Sequence, residues 1–424
     1  MIPQVVRQGV EMRRPLRTPL VIAATAVALL LIQLQPISVA AAPSITWERS
    51  AARRLSSVVA DEAGHVYATG FRVDPNSRRE DPYMVLYRFS SNGHQLWQRT
   101  WKPSHAWAEG RDLAIGNDGS VYLSGIMNVG GYEGNQWFVR KYSPDGALLW
   151  RRQTRNWRKP YLVGHAESIS GIAVGAGMVA VSGSSFGCCG DVDNDGWVRT
   201  YDLDGHLQWT STFEASRPAG TNDAAEAIAI GAIGRVYVAG WVATVAEAEG
   251  DWADHETLVQ KLGPSGGVVW THVFFDHHGK DLDGATGVSV RGDRLMVTAT
   301  AGGNRRGRPT HAWLASLRFD GGVRWTRTWG KGSGRAQPSS VSLDRSGSSY
   351  VAGTEQASND GTNAFVRKYS RSGRLLWALV LGEGERFMNG SDVFALPDGA
   401  LATGWQRRRV FSLPSGGWLW RLRG

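Results

Sequence analysis

The sequence predicts an all-β fold, a seven-bladed β-propeller of four-stranded antiparallel blades, preceded by a signal peptide. Three observations predict it. A phrase ending in Trp recurs seven times between Trp97 and Trp420, at a mean spacing of about 54 residues. Glycine is abundant, with 53 residues in 424, about one in eight against a usual share of about 7%. The chain after residue 42 shows no 3.6-residue helical periodicity.

The first 42 residues have the order of a secretory signal peptide. Four arginines between residues 7 and 17 precede an apolar run over residues 20–32, and small residues follow at 38–42. The run is shorter than the ~20 residues of a membrane span. We expect cleavage after Ala42, no stable membrane insertion, and a secreted, periplasmic or cell-surface location. Retention of the segment as an uncleaved anchor is the alternative.

Charge and cysteine content exclude two classes of protein. The formal net charge is +9, and removing the four Arg and one Glu of residues 1–42 leaves +6. The basic residues are scattered, without the aromatic interleaving of a nucleic-acid groove, so we expect no nucleic-acid partner. Two cysteines are too few for a disulfide scaffold.

Each repeat contains three phrases that predict four strands. The first is a short aliphatic strand, as in Leu113-Ala114-Ile115, and the second reads GHVYATG, GSVYLSG or GRVYVAG. The third, such as YRFSSNGHQLW or RKYSPDGALLW, holds two strands joined by a tight glycine turn. Residues 43–424 are therefore predicted to form a single propeller domain. Four-stranded units of this length are typical of propeller blades.

Most tryptophans keep a fixed position in the repeat, which indicates packing between blades. Trp241 and Trp405 follow the second strand and are expected in this core. The blade-end series is Trp47, Trp97, Trp150, Trp209, Trp270, Trp325, Trp377 and Trp420. Because Trp420 completes the last unit in this assignment, Trp47 belongs either to a fifth strand or to the closure of the ring.

The connections after the second and fourth strands are long, and an up-and-down blade places both on one face of the propeller. Loops on a rigid scaffold carry function, so we expect the binding site on this long-loop face; the alternative is that such loops merely tolerate insertion. The candidate ligand-binding residues are Trp107, Trp157, Trp252, Glu109 and Glu167, the three tryptophans being placed in long loops outside the repeat register. Five carboxylates before the first strands form either an acidic channel mouth or ordinary polar loop ends: Glu109, Glu167, Glu226, Asp283 and Asp392.

One loop predicts a structural calcium site. Asp191, Asp193 and Asp195 alternate before Gly196, which places oxygens on one side of a tight loop, as Ca²⁺ requires. Asp202 is excluded as a ligand because the third strand carries it about 16 Å away. The neighbouring Cys188 and Cys189 form a vicinal disulfide, two free thiols or an intermolecular bridge.

These phrases resemble the exported bacterial β-propeller-repeat proteins of the SBBP type and, more distantly, the quinoprotein propellers. The first resemblance implies binding, scaffolding or cell-surface roles, and the sequence contains no recognised catalytic motif. We predict a monomeric binding or interaction module that uses its long-loop face on a polysaccharide or a surface protein. The alternatives are a hydrolase or lyase acting on polysaccharide, a quinone-dependent dehydrogenase, and a cell-surface scaffold without a ligand.

Overall fold

A computed structural model of the protein describes most of the chain after residue 42. The described ranges are 43–73, 81–104, 106–128, 135–154, 166–186, 194–213, 223–243, 255–274, 284–302, 310–330, 335–356, 361–382, 387–407 and 414–424. Within them the chain forms 28 β-strands and one 3-10 turn, Ala232–Gly234. A search of these residues for a helix long and apolar enough to cross a membrane finds none.

The strands form seven four-stranded antiparallel sheets, which confirms the predicted seven-bladed β-propeller. The first strand is β1 (Ser44–Ser50). Blade 1 comprises β2 (Arg54–Ala60), β3 (Val66–Val73), β4 (Pro82–Phe89) and β5 (Gln95–Trp101). Blade 2 comprises β6 (Trp107–Ile115), β7 (Val121–Asn128), β8 (Asn135–Tyr142) and β9 (Leu148–Gln153). Blade 3 comprises β10 (Ala166–Gly175), β11 (Met178–Phe186), β12 (Asn194–Asp202) and β13 (Leu207–Phe213). Blades 4 and 5 comprise β14 (Asp223–Ile230), β15 (Val236–Ala243), β16 (His255–Leu262), β17 (Val268–Phe274); β18 (Gly284–Arg291), β19 (Arg294–Ala301), β20 (His311–Leu317), β21 (Val323–Trp329). Blades 6 and 7 comprise β22 (Ala336–Leu343), β23 (Ser349–Gln356), β24 (Thr362–Tyr369), β25 (Leu375–Leu381); β26 (Phe387–Leu396), β27 (Gly399–Arg407), β28 (Gly416–Arg423) and β1.

The ring closes by pairing the two ends of the described chain. Strand β1 is the outer strand of blade 7, antiparallel to β28, with Glu48 opposite Trp420. The assignment of Trp420 to a fourth strand is therefore wrong: Trp420 lies in the third strand, and Trp47 is the outer-strand tryptophan of blade 7. Of the two alternatives for Trp47, closure is the one that the structure shows.

The outer-strand tryptophans join each blade to the next one. The indole Nε1 of Trp150 donates to the carbonyl of Leu203, 2.9 Å away, in the turn between the third and fourth strands of the following blade. Trp47, Trp97, Trp209, Trp270 and Trp325 make the equivalent bond at 2.8–3.2 Å. Trp377 makes no such bond in the described structure, because the third and fourth strands of blade 7 come from opposite ends of the chain and no turn joins them.

The glycine of the second phrase is required by a close approach of two backbones. In β15, a Cβ on Gly240 would lie 1.8 Å from the carbonyl oxygen of Ala224 in β14. The equivalent Gly70 in β3 faces the carbonyl of Arg54 in the same way. Both glycines lie opposite a β-bulge in the first strand of their blade. The repeated glycine therefore marks the bulge, which shapes the centre of the propeller.

The hydrophobic core lies between blades. One cluster, for example, contains Tyr122 and Trp137 of blade 2 with Ile172 and Trp197 of blade 3. The rings of Trp137 and Trp197 lie 5.8 Å apart between centroids. This arrangement confirms that in-register tryptophans of the third strand are packing residues, and it fixes the inner strands that line the central channel.

Candidate functional site

The central channel is lined by bulge residues from the inner strand of every blade. In each inner strand the pairing register skips one residue. We call the skipped residues the bulge ring: Ser56, Arg111, Ser170, Glu226, Thr286, Ser339 and Ser391. A bulge turns a side chain away from the ordinary alternation of a strand. The ring therefore presents five hydroxyls, one guanidinium and one carboxylate to the channel.

The channel contains an outer and a deeper cavity that share the bulge ring. The outer cavity has a volume of about 530 Å³ and is also lined by Arg54, Gln337, Asn389 and Trp405. Arg54 begins the inner strand of blade 1, directly after a connection of the long-loop face, so the outer cavity lies at the mouth of the channel on that face. The deeper cavity, of about 180 Å³, reaches Asp112 and Asp392.

Three nitrogen donors at the mouth have no acceptor within the part of the chain that the structure describes. They are Nε of Arg54, Nε of Arg111 and Nδ2 of Asn389. The Arg111 guanidinium forms one ion pair, with Glu109 at 2.6 Å. The Arg54 guanidinium lies 5.8 Å from the ring centroid of Trp405. Burial, outweighing the attraction of Glu109, lowers the pKa of Arg54, and the charge of Arg111 lowers it further.

Deeper in the channel, Ser57 links two aspartates. Its Oγ lies 2.8 Å from Oδ1 of Asp112 and 2.8 Å from Oδ2 of Asp392. A hydroxyl has one hydrogen, so both contacts are hydrogen bonds only when one carboxyl is protonated and donates to Oγ. In that state the two carboxyls carry one proton and one negative charge between them. We call this the Asp–Ser–Asp chain.

The Asp–Ser–Asp chain is held by backbone amides from four blades. Oδ2 of Asp112 accepts from the amide of Ile172 at 2.9 Å, and Oδ2 of Asp392 accepts from that of Val58 at 2.9 Å. Each aspartate also accepts from the amide of the residue that follows it in sequence. Ser340 donates to Oδ1 of Asp392 at 2.5 Å. The chain therefore ties the inner strands of blades 6, 7, 1, 2 and 3 together.

Burial raises the pKa values of both aspartates. Burial is the largest cause, and together with the negative charge of Asp392 it raises the pKa of Asp112 to about 7. Burial also raises the pKa of Asp392, against the lowering effect of its hydrogen bonds to Ser340, Val58 and Ser57. These directions agree with the geometry, in which both contacts of Ser57 are hydrogen bonds when the pair of carboxyls holds one proton.

The structure places the described candidate residues in two settings, the channel mouth and the packing between blades 2 and 3. Glu109 pairs with Arg111 at the channel mouth. Glu167 lies between blades 2 and 3, where it accepts from Trp137 at 2.5 Å and from Thr154 at 2.8 Å. The placement of Trp107 in a loop is wrong, because it begins β6, opposite Asn128, and packs against the core between blades 2 and 3. Trp157 and Trp252 lie outside the described residues.

The charge at the mouth is mixed rather than acidic. Glu226 and Asp392 line the channel as expected, but Arg54 and Arg111 lie there too. Asp283 lies outside the described residues. The packing assignment of Trp405 is also incomplete, because this partly buried indole lines the outer cavity.

The predicted calcium loop is described only at its end. Asp195 is exposed and lies in β12, opposite Ser185. Asp191, Asp193, Cys188 and Cys189 lie outside the described residues. Asp202 accepts hydrogen bonds within its own turn, from the amide of His206 at 2.8 Å. Within the described ranges, no three His, Cys, Asp or Glu side chains form a group that would hold a metal ion.

Four residues of the channel were not predicted from the sequence: Arg54, Arg111, Ser57 and Asp112. A signal for them exists: every repeat has a polar residue, then a small residue or Asp, then an aliphatic residue, as in Arg111-Asp112-Leu113. The first position of this triplet is the bulge ring, and the second holds the Asp–Ser–Asp chain. The triplet shows which side chains face the channel only when the position of the bulge is known.

Comparison with known proteins finds likeness in structure only. No family model matches the chain, and no curated protein matches it. An ulvan lyase, from a new family of polysaccharide lyases, has a TM-score of 0.52 at 10% identity, over 89% of this chain and 95% of that one. The same kind of lyase bound to GlcA(1-4)Rha3S gives a TM-score of 0.51 at 9% identity, with the same coverage.

A protein of unknown function from Dyadobacter fermentans is similar to the chain with a TM-score of 0.49 and 11% identity, over 90% of this chain and 100% of that one. At identities this low a structural likeness carries the fold and no activity. The two lyase structures therefore show, together with the seven observed sheets, that the chain has the β-propeller fold.

Proposed function

We propose that the protein is an exported, monomeric binding module that takes a saccharide at the channel mouth of its long-loop face. The observation that carries this proposal is the outer cavity of about 530 Å³, with its lining of hydroxyl, amide, guanidinium and indole groups. A cavity of this size is within the range of ligand sites. Membership of the SBBP-type propeller-repeat proteins, and export directed by residues 1–42, are part of the same proposal.

The lining favours a polyhydroxylated ligand over an apolar one. Five hydroxyls of the bulge ring, with the amides of Gln337 and Asn389, offer both donors and acceptors. Sugar hydroxyls have the same double character. The indole of Trp405 supplies a flat apolar surface at the edge of the cavity, suited to the apolar face of a sugar ring.

A hydrolase or lyase acting on polysaccharide is the second candidate, favoured by one observation. Asp112 and Asp392 line the deeper cavity and share a proton, and general acid–base chemistry uses a protonated carboxyl beside an ionised one. Both carboxyl groups nevertheless accept hydrogen bonds from backbone amides of neighbouring inner strands, which favours a structural role in holding the blades together. We therefore place binding first.

A glycan array with the purified protein tests the proposal. We expect saccharides to bind, and Trp405→Ala to weaken binding of the strongest one about tenfold or more, as expected when an aromatic contact is lost. Leu149→Ala, on the exposed outer strand of blade 2, is the matched control and leaves binding unchanged. An array without any bound glycan contradicts the saccharide proposal and favours a surface-protein partner or a scaffold. Chain cleavage of a bound glycan, detected by chromatography, favours the enzyme.

A further inference from the structure

We infer that the saccharide carries an anionic group, a carboxylate or a sulfate ester, and that Arg54 and Arg111 bind it. This inference rests on the proposed saccharide site and specifies its ligand class. The observation that supports it is the set of buried polar atoms at the channel mouth that have no hydrogen-bond partner within the described residues. Among the described residues, the buried side-chain atoms of the outer cavity that lack a partner are Arg54 Nε, Arg111 Nε and Asn389 Nδ2, and all are donors.

These three donors belong to adjacent blades. Arg54 lies in blade 1, Arg111 in blade 2 and Asn389 in blade 7. They therefore face one side of the cavity rather than being spread around it. A buried donor without an acceptor costs free energy. A ligand rich in acceptors, placed against this side, removes that cost at all three positions together.

The charge of this side is positive. Nε of the Arg54 guanidinium has no partner within the described part of the chain, and the charges that act on this group are those of Glu109 and Arg111. Glu109 is engaged by Arg111 at 2.6 Å. At the mouth, two guanidiniums against one carboxylate leave one uncompensated positive charge, and the negative charge of the Asp–Ser–Asp chain lies below it in the deeper cavity. Glu226, the acidic member of the bulge ring, belongs to blade 4, across the channel, where it accepts from Trp241 at 3.3 Å.

Guanidinium groups bind carboxylate and sulfate oxygens through paired N–H donors. The Arg54 guanidinium is held against Trp405, 5.8 Å from its ring centroid, so it is oriented before the ligand arrives. Preorganised donors lose less entropy on binding than free ones. Asn389 supplies an additional donor. Uronate and sulfated saccharides combine the anion with the hydroxyls that the bulge ring suits.

The test uses an array that contains each acidic oligosaccharide beside its carboxyl-reduced or desulfated counterpart. We expect wild-type protein to bind acidic members and to lose about tenfold or more in affinity for their neutral counterparts, the size of a charge-assisted hydrogen bond. Arg54→Gln and Arg111→Gln are expected to remove this preference. Loss of binding on carboxyl reduction identifies a carboxylate as the recognised group, and loss of binding on desulfation identifies a sulfate ester.

Arg371→Gln is the matched control, because Arg371 lies on the short-turn face, paired with Asp293 at 2.9 Å; it retains the preference. Arg54→Lys keeps the charge and retains part of the affinity, and thermal unfolding checks that each variant folds. If the protein binds neutral glycans, and Arg54→Gln leaves that binding unchanged, the anionic inference is overturned and the saccharide site stands. An array with no bound glycan overturns both.

Discussion

Removal of residues 1–50 is expected to prevent closure of the propeller, whereas removal of residues 1–42 leaves thermal unfolding unchanged. The two truncations differ only by the segment that contains β1, so the second is the matched control for the first. We expect the shorter protein to lose about 5 kcal/mol or more of its free energy of unfolding, the scale of the whole stability of a typical domain.

The physical reason is the position of β1 in blade 7. Without it, the edge of β28 is unpaired, and an unpaired edge favours aggregation. The carbonyls of Ser91 and Gly93 in blade 1 also lose the hydrogen bonds that Trp47 and Arg49 donate to them, at 3.0 and 2.6 Å. Thermal unfolding and size-exclusion chromatography measure the effect. Equal melting temperatures for the two truncations contradict this account of closure.

Replacing Asp112 with asparagine is expected to change how stability depends on pH. The pKa of Asp112 is raised to about 7 in the folded protein, above about 3.9 in the unfolded chain. The folded state therefore holds an additional proton between these two values. Its stabilising contribution is complete below about pH 4 and is lost as pH rises through about 7.

The stability difference between wild type and Asp112→Asn is therefore expected to narrow, by up to about 4 kcal/mol, between pH 4 and pH 8. Asparagine does not titrate, so its own contribution to stability does not change with pH. Its side-chain NH2 group replaces a carboxyl oxygen that accepts from a backbone amide, so the variant is also less stable at low pH. Urea unfolding at several pH values provides the measurement. Asp204→Asn, in an exposed turn of blade 3, is the control. A difference that stays constant over this range shows that Asp112 does not hold the proton.

The fold was predictable from the sequence because its signals are local. A tight turn needs glycine, a blade needs four short strands, and both recur in every repeat. The error at Trp420 has a physical cause. The segment Val410–Trp420 has the same local phrase as the other blade ends, and only its pairing with residues 44–50, more than 360 positions away, shows that it holds the third strand. Local patterns do not encode such a pairing.

The candidate site was less predictable, because a bulge changes which side chains face the channel. Arg111 reads in the sequence as a polar residue before a strand, and Ser57 as an ordinary strand residue. Trp405 follows the register of packing tryptophans, yet it lines the outer cavity. Glu109 and Glu167 look equivalent in the sequence, but one pairs at the channel mouth and the other lies between blades. One-residue register shifts of this kind decide the site.

The central claim is that the channel mouth on the long-loop face holds the ligand. A crystal structure of the protein with the strongest array glycan tests it most directly. We expect a sugar in the outer cavity, with its anionic group within hydrogen-bond distance of the Arg54 and Arg111 guanidiniums and with Asn389 as a further donor. A glycan bound on the outer strands or on the short-turn face, with the channel mouth unaltered, would contradict it.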